Sequence, residues 1–195
     1  PVKYPRIEVK PDGSVRVIAP PGLDVETLIE RRREWIERKV REIDELTAEA
    51  KGKEGMLLLD GEFYEVRSGE GLRVDRERKI LEVPDLKALY EWLKARLKEE
   101  LEYKVKLISR MLGVRCGRIY IRRQRTKWAS CPAKGNLSFN VLMAVLPEKL
   151  REYVVIHELA HLLERRHTKR FWRIIERYYP SYKKAEMELK RYWLI

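Results

Sequence analysis

The chain has 195 residues, of which 44% are hydrophobic and 38% are charged, and its formal net charge is +12. This composition excludes a disordered tail, and no apolar run approaches the roughly 20 residues that a bilayer-spanning helix needs. We therefore expect a folded protein without a membrane partner. No secretory signal stands at the start, and two cysteines are too few for a disulfide framework, so we expect a cytoplasmic location.

The basic charge balance has two interpretations. A surface with an excess of Lys and Arg attracts phosphates or acidic partners, including nucleic acid. However, Glu, Lys and Arg are interleaved throughout the chain, as in heat-adapted proteins that carry surface ion-pair networks. We favour the thermophile-like surface and keep nucleic acid as the alternative partner.

Residues 1–84 are predicted to form a β-rich accessory domain built from hairpins and one helix. Asp60-Gly61 is a strong signal for a two-residue hairpin turn, and Asp24 is a suitable N-cap for the helix that follows it. The predicted strands cover residues 6–10, 15–19, 56–59, 62–67, 72–75 and 79–83.

Residues 85–195 are predicted to form a second domain, so the boundary lies near Pro84. A long helix is expected to end at Gly113, and later helices and strands alternate less regularly. The helices are predicted to begin at or just after Asp85, Pro147, Thr168 and Pro180, and the strands to cover 118–123 and 136–141. The fold class is therefore α+β, with a small sheet packed on the helix from Pro147 and on further helices.

All three histidines of the chain, His157, His161 and His167, fall within one short stretch. Residues four apart lie about 40° apart around a helix, so His157 and His161 can hold one metal ion. Glu158 lies between them, where it can act as general base on a metal-activated water. The alternative is two histidines bonded to buried protein groups. We favour a metal site holding Zn²⁺, because the spacing, the glutamate and the third histidine agree.

The third metal ligand has two candidates. His167 follows His161 by six positions, the spacing of the longer motif H-E-x-x-H-x-x-G-x-x-H. An unbroken helix would carry His167 about 9 Å along the axis, so the helix must end between Leu163 and Arg166. No glycine is present there, and a left-handed residue would cost about 1–2 kcal/mol. A glutamate from a later helix is the alternative, and the candidates are Glu176, Glu186 and Glu188.

Residues 124–131, with the sequence QRTKWASC, also have two interpretations. In one, this segment and the strand at 135–140 form a sheet whose edge holds an extended peptide beside the histidines. The candidate substrate-binding residues are then Trp128, Asn136 and Ser138. In the other, the segment is a structural turn anchored by Trp128. The basic side chains around Trp128 can also bind phosphates.

Three stretches resemble the YgjP-like metallopeptidases, a family related to the SprT-like and WLM families. They are QRTKWASC at 124–131, GNLSFN at 135–140, and YVVIHELAH at 153–161, which is continued by a histidine and a Phe-Trp pair. The resemblance implies a zincin-like metallopeptidase domain with zinc on His157, His161 and His167 and with Glu158 as catalytic base. Ala129 stands where the family pattern has Gly, and this difference removes no reacting group.

Three functions stay open at this point. The favoured one is a zinc-dependent metallopeptidase that acts on a peptide or protein substrate. A second is a metal-dependent hydrolase of nucleotides or other phosphate-bearing small molecules, because an activated water also attacks phosphorus. The third is a nucleic-acid-associated, SprT-like protease, which residues 122–127 and the net charge favour. The sequence gives neither the cleavage preference nor the oligomeric state.

Overall fold

A computed structural model describes residues 2–10, 14–50, 53 and 55–192, with the side chains of 42–50 left aside. The chain divides into a large unit, residues 55–189, and a small unit, residues 1–54 with 190–195. The predicted boundary near Pro84 lies inside the large unit, and the division at Pro84 stays a prediction. The fold is mixed α+β, as the sequence predicted. Within the described residues, no helix combines the length and the apolar character needed to cross a membrane.

The small unit pairs a hairpin with two helices. The strands are β1 (Arg6–Val9) and β2 (Val15–Ile18), which are antiparallel, and the helices are α1 (Val25–Arg31) and α2 (Arg33–Ala50). The hairpin agrees with the prediction, although its expected turn at 11–14 lies mostly outside the described residues. The Asp24 carboxylate accepts from the backbone N–H of Thr27 at 3.0 Å and caps α1. The sequence predicted one helix after Asp24, but Arg32 leaves the helical region and divides it.

A four-stranded sheet begins the large unit. Its strands, in spatial order, are β3 (Met56–Leu59), β4 (Glu62–Ser68), β6 (Ile80–Val83) and β5 (Arg73–Asp75). Asp60 and Gly61 join β3 to β4 with φ angles of 55° and 83°, the left-handed pair that the Asp-Gly signal predicts. β4 and β6 pair in parallel, which the sequence did not reveal. Leu81 is fully buried on the core face of this sheet.

The remaining elements position the histidines. They are α3 (Leu86–Leu112), β7 (Ile119–Arg122), β8 (Ala129–Ser130), β9 (Leu137–Asn140), a 3-10 helix (Val141–Val145), α4 (Glu148–Ala160), α5 (Lys169–Tyr178) and α6 (Tyr182–Tyr192). β9 is the central strand of a three-stranded sheet, parallel to β7 and antiparallel to β8. Helix α3 is capped by Asp85 and ends at Gly113, whose φ is 67°. Both ends agree with the prediction, because each depends on a residue with a local capping role.

A buried charge network anchors the N-terminal half of α4. Arg151 is only 3% exposed, and it donates to Asp60 at 2.7 Å and to Glu100 at 2.8 Å. Burial raises the pKa of Asp60, but hydrogen bonds and charges from Arg96 and Arg151 outweigh burial, and its pKa is lowered. The network therefore ties α4 to α3 and to the β3–β4 turn.

Replacing Arg151 with Met is expected to destabilise the protein. The substitution leaves two partly buried carboxylates without their shared cation, so the free energy of unfolding should fall by about 3–5 kcal/mol in urea denaturation. The control is Lys98→Met, which removes an exposed ion pair with Glu102 at 3.9 Å and should cost less than about 1 kcal/mol. Equal losses in the two variants would contradict an anchoring role for Arg151.

Candidate metal centre

The three histidines converge at the C-terminal end of α4. His157 lies in the last turn of the helix, His161 follows its last residue, and His167 precedes α5. Their ligand atoms all lie within 4.8 Å of one another, and the Nε2 atoms of His157 and His167 are 3.0 Å apart. This is the only such group of three among the described residues. It contains none of the alternative third ligands, which were Glu176, Glu186 and Glu188.

The spacing of these nitrogens fits a zinc ion. With zinc–nitrogen bonds of about 2.0–2.1 Å, nitrogens at the corners of a tetrahedron lie about 3.4 Å apart. The separation of 3.0 Å between His157 and His167 is close to this value, and 4.8 Å, the upper limit for the group, is reduced by small rotations of the rings. Burial, together with the charges of the other two histidines, lowers the pKa of His157 to about 3. His157 is therefore neutral at pH 7, as a metal ligand must be.

The turn that delivers His167 contains no residue in the left-handed region. The α-helix ends at Ala160, earlier than the predicted range of 163–166, and the N–H groups of Leu163 and Glu164 both donate to the Ala160 carbonyl at 3.0 and 2.9 Å. No residue from 161 to 167 has a positive φ, so the turn avoids the cost of a left-handed residue. Thr168 then caps α5 by accepting from the backbone N–H of Phe171 at 3.4 Å.

Two of the imidazoles have a protein group near their second nitrogen. The Tyr153 hydroxyl lies 3.5 Å from Nδ1 of His157, and the Glu164 carbonyl lies 3.3 Å from Nδ1 of His161. Such contacts orient an imidazole and leave its Nε2 free for a metal. Sequence reasoning named neither partner. Tyr153 precedes His157 by four residues on one helix face, so the helical spacing could have found it, whereas a backbone carbonyl leaves no sequence signal.

Aromatic rings hold the histidines in place. The Phe171 ring, which is fully buried, has its centroid 4.7 to 5.0 Å from the three imidazole centroids. Trp172 stacks on His167 at 5.6 Å and on Tyr182 at 5.3 Å. This packing restricts the imidazole rotamers before any metal binds, and so reduces the entropy that binding must overcome.

Glu158, which follows His157 in the chain, is buried, with an exposed fraction of 8%. Burial raises its pKa to about 7, although the nearby Lys127 charge and a hydrogen bond from the Cys131 backbone N–H oppose the increase. A carboxyl group with this pKa exchanges protons readily near neutral pH, which is the property of a general acid or base.

Asn140 fixes the loop that brings Lys127 towards Glu158. Its side chain is fully buried, and Nδ2 donates to the carbonyls of Gln124 and Lys127 at 3.0 Å each. Its Oδ1 accepts from the backbone N–H groups of Gln124 and Leu142 at 3.3 and 3.2 Å. All four hydrogen-bonding positions of the amide are therefore used. Sequence reasoning included Asn140 in a motif but did not foresee this role.

The predicted substrate-binding residues make contacts in and beside the three-stranded sheet. The Asn136 amide oxygen accepts from the backbone N–H of Arg118 at 2.8 Å. The carbonyl of Ser138 accepts from Gln124 Nε2 at 3.1 Å, and the Trp128 carbonyl accepts from the backbone N–H of Asn140 at 2.7 Å. These contacts bring all three residues to the β8–β9 region, and their contact with substrate stays a prediction.

Arg165 links the two sides of the site, a connection that the sequence did not suggest. Its guanidinium group donates to the carbonyls of Pro132 and Ala133 at 3.0 and 2.8 Å. These carbonyls belong to the turn between β8 and β9, whereas Arg165 belongs to the turn between His161 and His167. These hydrogen bonds therefore hold the turn between His161 and His167 against the loop that carries Cys131.

The fold and the histidine cluster are those of a metallohydrolase. The chain belongs to the YgjP-like family, because residues 3–192 match the family model described as YgjP-like, metallopeptidase domain. The resemblance noted in the sequence is thus confirmed over nearly the whole chain, and with it the assignment to metallopeptidases, which are hydrolases.

Two solved structures are similar to part of the chain. The metallopeptidase zymogen abylysin of Pyrococcus abyssi is 27% identical, with a TM-score of 0.43, over 46% of this chain and 90% of that one. The metallopeptidase zymogen jannalysin of Methanocaldococcus jannaschii is 26% identical, with a TM-score of 0.41, over 46% and 91%. No curated protein sequence matches the chain.

The raised pKa of Glu158 predicts how the stability of the metal-free protein depends on pH. Since burial raises this pKa from 4.5 to about 7, the stability contributed by the neutral carboxyl is complete below pH 4.5 and is lost as the pH rises through 7. Glu158→Gln keeps a neutral group at every pH. Relative to wild type, we expect it to gain about 3 kcal/mol in free energy of unfolding between pH 4.5 and pH 8.

Urea denaturation in the presence of a chelator measures this difference at each pH. The control is Glu176→Gln, because Glu176 is an exposed glutamate on α5. A Glu158→Gln difference that is constant across the pH range would show that Glu158 titrates alike in the folded and unfolded chains.

Proposed function

We propose that this chain is a zinc-dependent peptidase in which His157, His161 and His167 hold the ion and Glu158 is the general base. The observation that carries the proposal is the convergence of three imidazoles, with ligand atoms within 4.8 Å, next to a buried carboxyl whose pKa is about 7. A bound zinc ion supplies Lewis-acid activation of water and of the scissile carbonyl group.

Residues of the chain transfer the proton, stabilise the carboxylate of Glu158 and exclude water. Glu158 accepts a proton from the attacking water and returns it to the leaving amine, and a pKa near 7 suits both transfers. Lys127 and the Cys131 N–H stabilise the ionised form of Glu158, which is its state before the first transfer and after the second. Phe171 packs against all three imidazoles and keeps bulk water from that side of the site.

We further propose that the substrate is a peptide bound beside β8, with Trp128, Asn136 and Ser138 in the surrounding sheet. β8 is an edge strand of the three-stranded sheet, and an extended peptide can add to such an edge. The backbone N–H of Cys131, directly after β8, already reaches the Glu158 carboxylate. Because Ala129 is only 8% exposed, pairing at this edge requires the surrounding side chains to move.

We propose that the protein is cytoplasmic and adapted to high temperature. Both cysteines are free thiols, as expected in a reducing compartment. Exposed ion pairs such as Arg33–Glu30 at 2.5 Å and Arg67–Glu65 at 2.8 Å resemble those of proteins adapted to high temperature.

Glu158→Gln should abolish peptide hydrolysis without loss of metal. Removal of a general base lowers turnover by about 10²–10⁴-fold, so casein or a quenched fluorescent peptide library should be cleaved by wild-type zinc-loaded protein and not measurably by the variant. Metal content, measured by elemental analysis, should stay at one ion per chain. Glu176→Gln is the matched control and should retain full activity. Undiminished cleavage by Glu158→Gln would exclude Glu158 as the base.

His167→Ala should weaken zinc binding by at least about 100-fold, because loss of a ligand costs more than loss of a group that merely orients one. Competition with a chromophoric chelator gives the affinity. Glu176→Gln, Glu186→Gln and Glu188→Gln remove the alternative ligands and should leave it unchanged. If His167→Ala bound zinc with wild-type affinity and one of the glutamate variants bound it more weakly, that glutamate would be the third metal ligand.

A further inference from the structure

A second concave site lies at the β5–β6 side of the four-stranded sheet. It is a cavity of about 390 Å³, which we call the arginine cavity, and its lining consists of Arg67, Arg73, Val74, Asp75, Arg76, Arg78, Ile80 and Glu82. None of these residues belongs to α4 or α5, which carry or flank the histidines. The peptidase mechanism therefore gives the cavity no role.

Strand register explains why arginines meet here. Glu82 of β6 is in register with Arg67 of β4 on one side and with Arg73 of β5 on the other. Residues in register project from the same face of a sheet, so two guanidinium groups flank one carboxylate. Leu81, the neighbour of Glu82, points to the opposite face and is fully buried in the core. The charged face is thus the one directed away from the core.

The positive charge of the cavity is only partly neutralised by its own residues. The lining has four arginines but two carboxylates, those of Asp75 and Glu82. Arg67 is already bonded through two nitrogens to Glu65, which is not part of the lining, at 2.8 Å each. Arg78 lies 4.0 Å from Asp75.

The other two arginines, Arg73 and Arg76, are exposed, and neither has an ion-pair partner among the residues that the structure describes. Like charges gathered in a concave site raise the local positive potential and attract anions. The two carboxylates lower the mutual repulsion of the four guanidinium groups, so the site folds without an anion and still keeps an excess of positive charge.

We propose that the arginine cavity binds a phosphate-bearing ligand. Guanidinium groups bind phosphate oxygens in a bidentate manner, and a phosphate group offers three such oxygens and up to two charges. A carboxylate, with two oxygens and one charge, satisfies fewer of these donors. The volume falls within the range of about 300–1,000 Å³ of pockets for small organic ligands. Ile80 lines the cavity on the same face as Glu82 and supplies apolar contact for an organic part.

Calorimetric titration of the zinc-loaded protein with inorganic tripolyphosphate tests the proposal. Wild type should bind, and Arg73→Gln/Arg76→Gln should bind on the order of tenfold or more weakly, because two charge-assisted contacts are lost. The matched control, Arg38→Gln/Arg110→Gln, makes the same change in net charge at exposed arginines outside the cavity and should bind like wild type. Arg73→Lys/Arg76→Lys keeps the two charges but removes the planar guanidinium groups that bind two oxygens at once. Its affinity for tripolyphosphate should fall between those of wild type and Arg73→Gln/Arg76→Gln.

Peptidase activity separates this proposal from the proposed function, since all three double variants should cleave peptides at the wild-type rate. A single-stranded oligonucleotide, titrated in parallel, identifies the source of the phosphate. Loss of oligonucleotide binding in Arg73→Gln/Arg76→Gln assigns the site to a nucleic-acid backbone, and loss of tripolyphosphate binding alone assigns it to a small ligand. Equal binding of both probes by wild type and Arg73→Gln/Arg76→Gln, or binding of neither probe by wild type, would overturn the proposal.

Discussion

Helix α4 places ionisable groups inside the core, and much of the large unit is arranged around this constraint. Arg151 and Glu158 are almost completely buried, on a helix whose other buried positions are largely apolar. A buried charge without a partner costs several kcal/mol, so each of these groups determines what must pack against it. Arg151 accounts for the approach of α3 and of the β3–β4 turn, and Glu158 for the approach of the loop that carries Cys131.

The two ends of α4 meet this constraint differently. At the N-terminal half, opposite charges pair, and the result is rigidity. At the C-terminal end, burial keeps the His157 imidazole neutral, and its Nε2 atom lies 3.0 Å from that of His167. Two lone pairs at this distance repel each other unless a proton or a cation lies between them. The site is thus less favourable when empty than when filled, which is a common relation between a functional site and the stability of its host.

Local signals in the sequence predicted much of the fold. Asp85, Thr168 and Gly113 mark helix ends correctly because a cap interacts with residues only a few positions away. Asp60-Gly61 marks its turn for the same reason. The parallel pairing of β4 with β6 left no comparable signal, because β5 lies between these strands in sequence but takes the outer position in the sheet.

The candidate site also has parts that the sequence predicted and parts that it did not. The spacing of the three histidines was sufficient to predict that they converge, since two of them lie on one helix. The supporting contacts were not predictable. Arg151 and Asp60 are separated by 91 positions in sequence, and the residues around each of them give no signal that the two form an ion pair. Asn140 likewise acts on a loop that begins 16 positions before it.

The turn from His161 to His167 has one more consequence. Because none of its residues needs a left-handed conformation, residues with a Cβ atom occupy positions 164 and 166 without the steric cost that would favour glycine. A search pattern that demands glycine at this point would overlook chains of this kind. For the same reason, the side chains at positions 164 and 166 can change during evolution while the turn still places His167 in the same position.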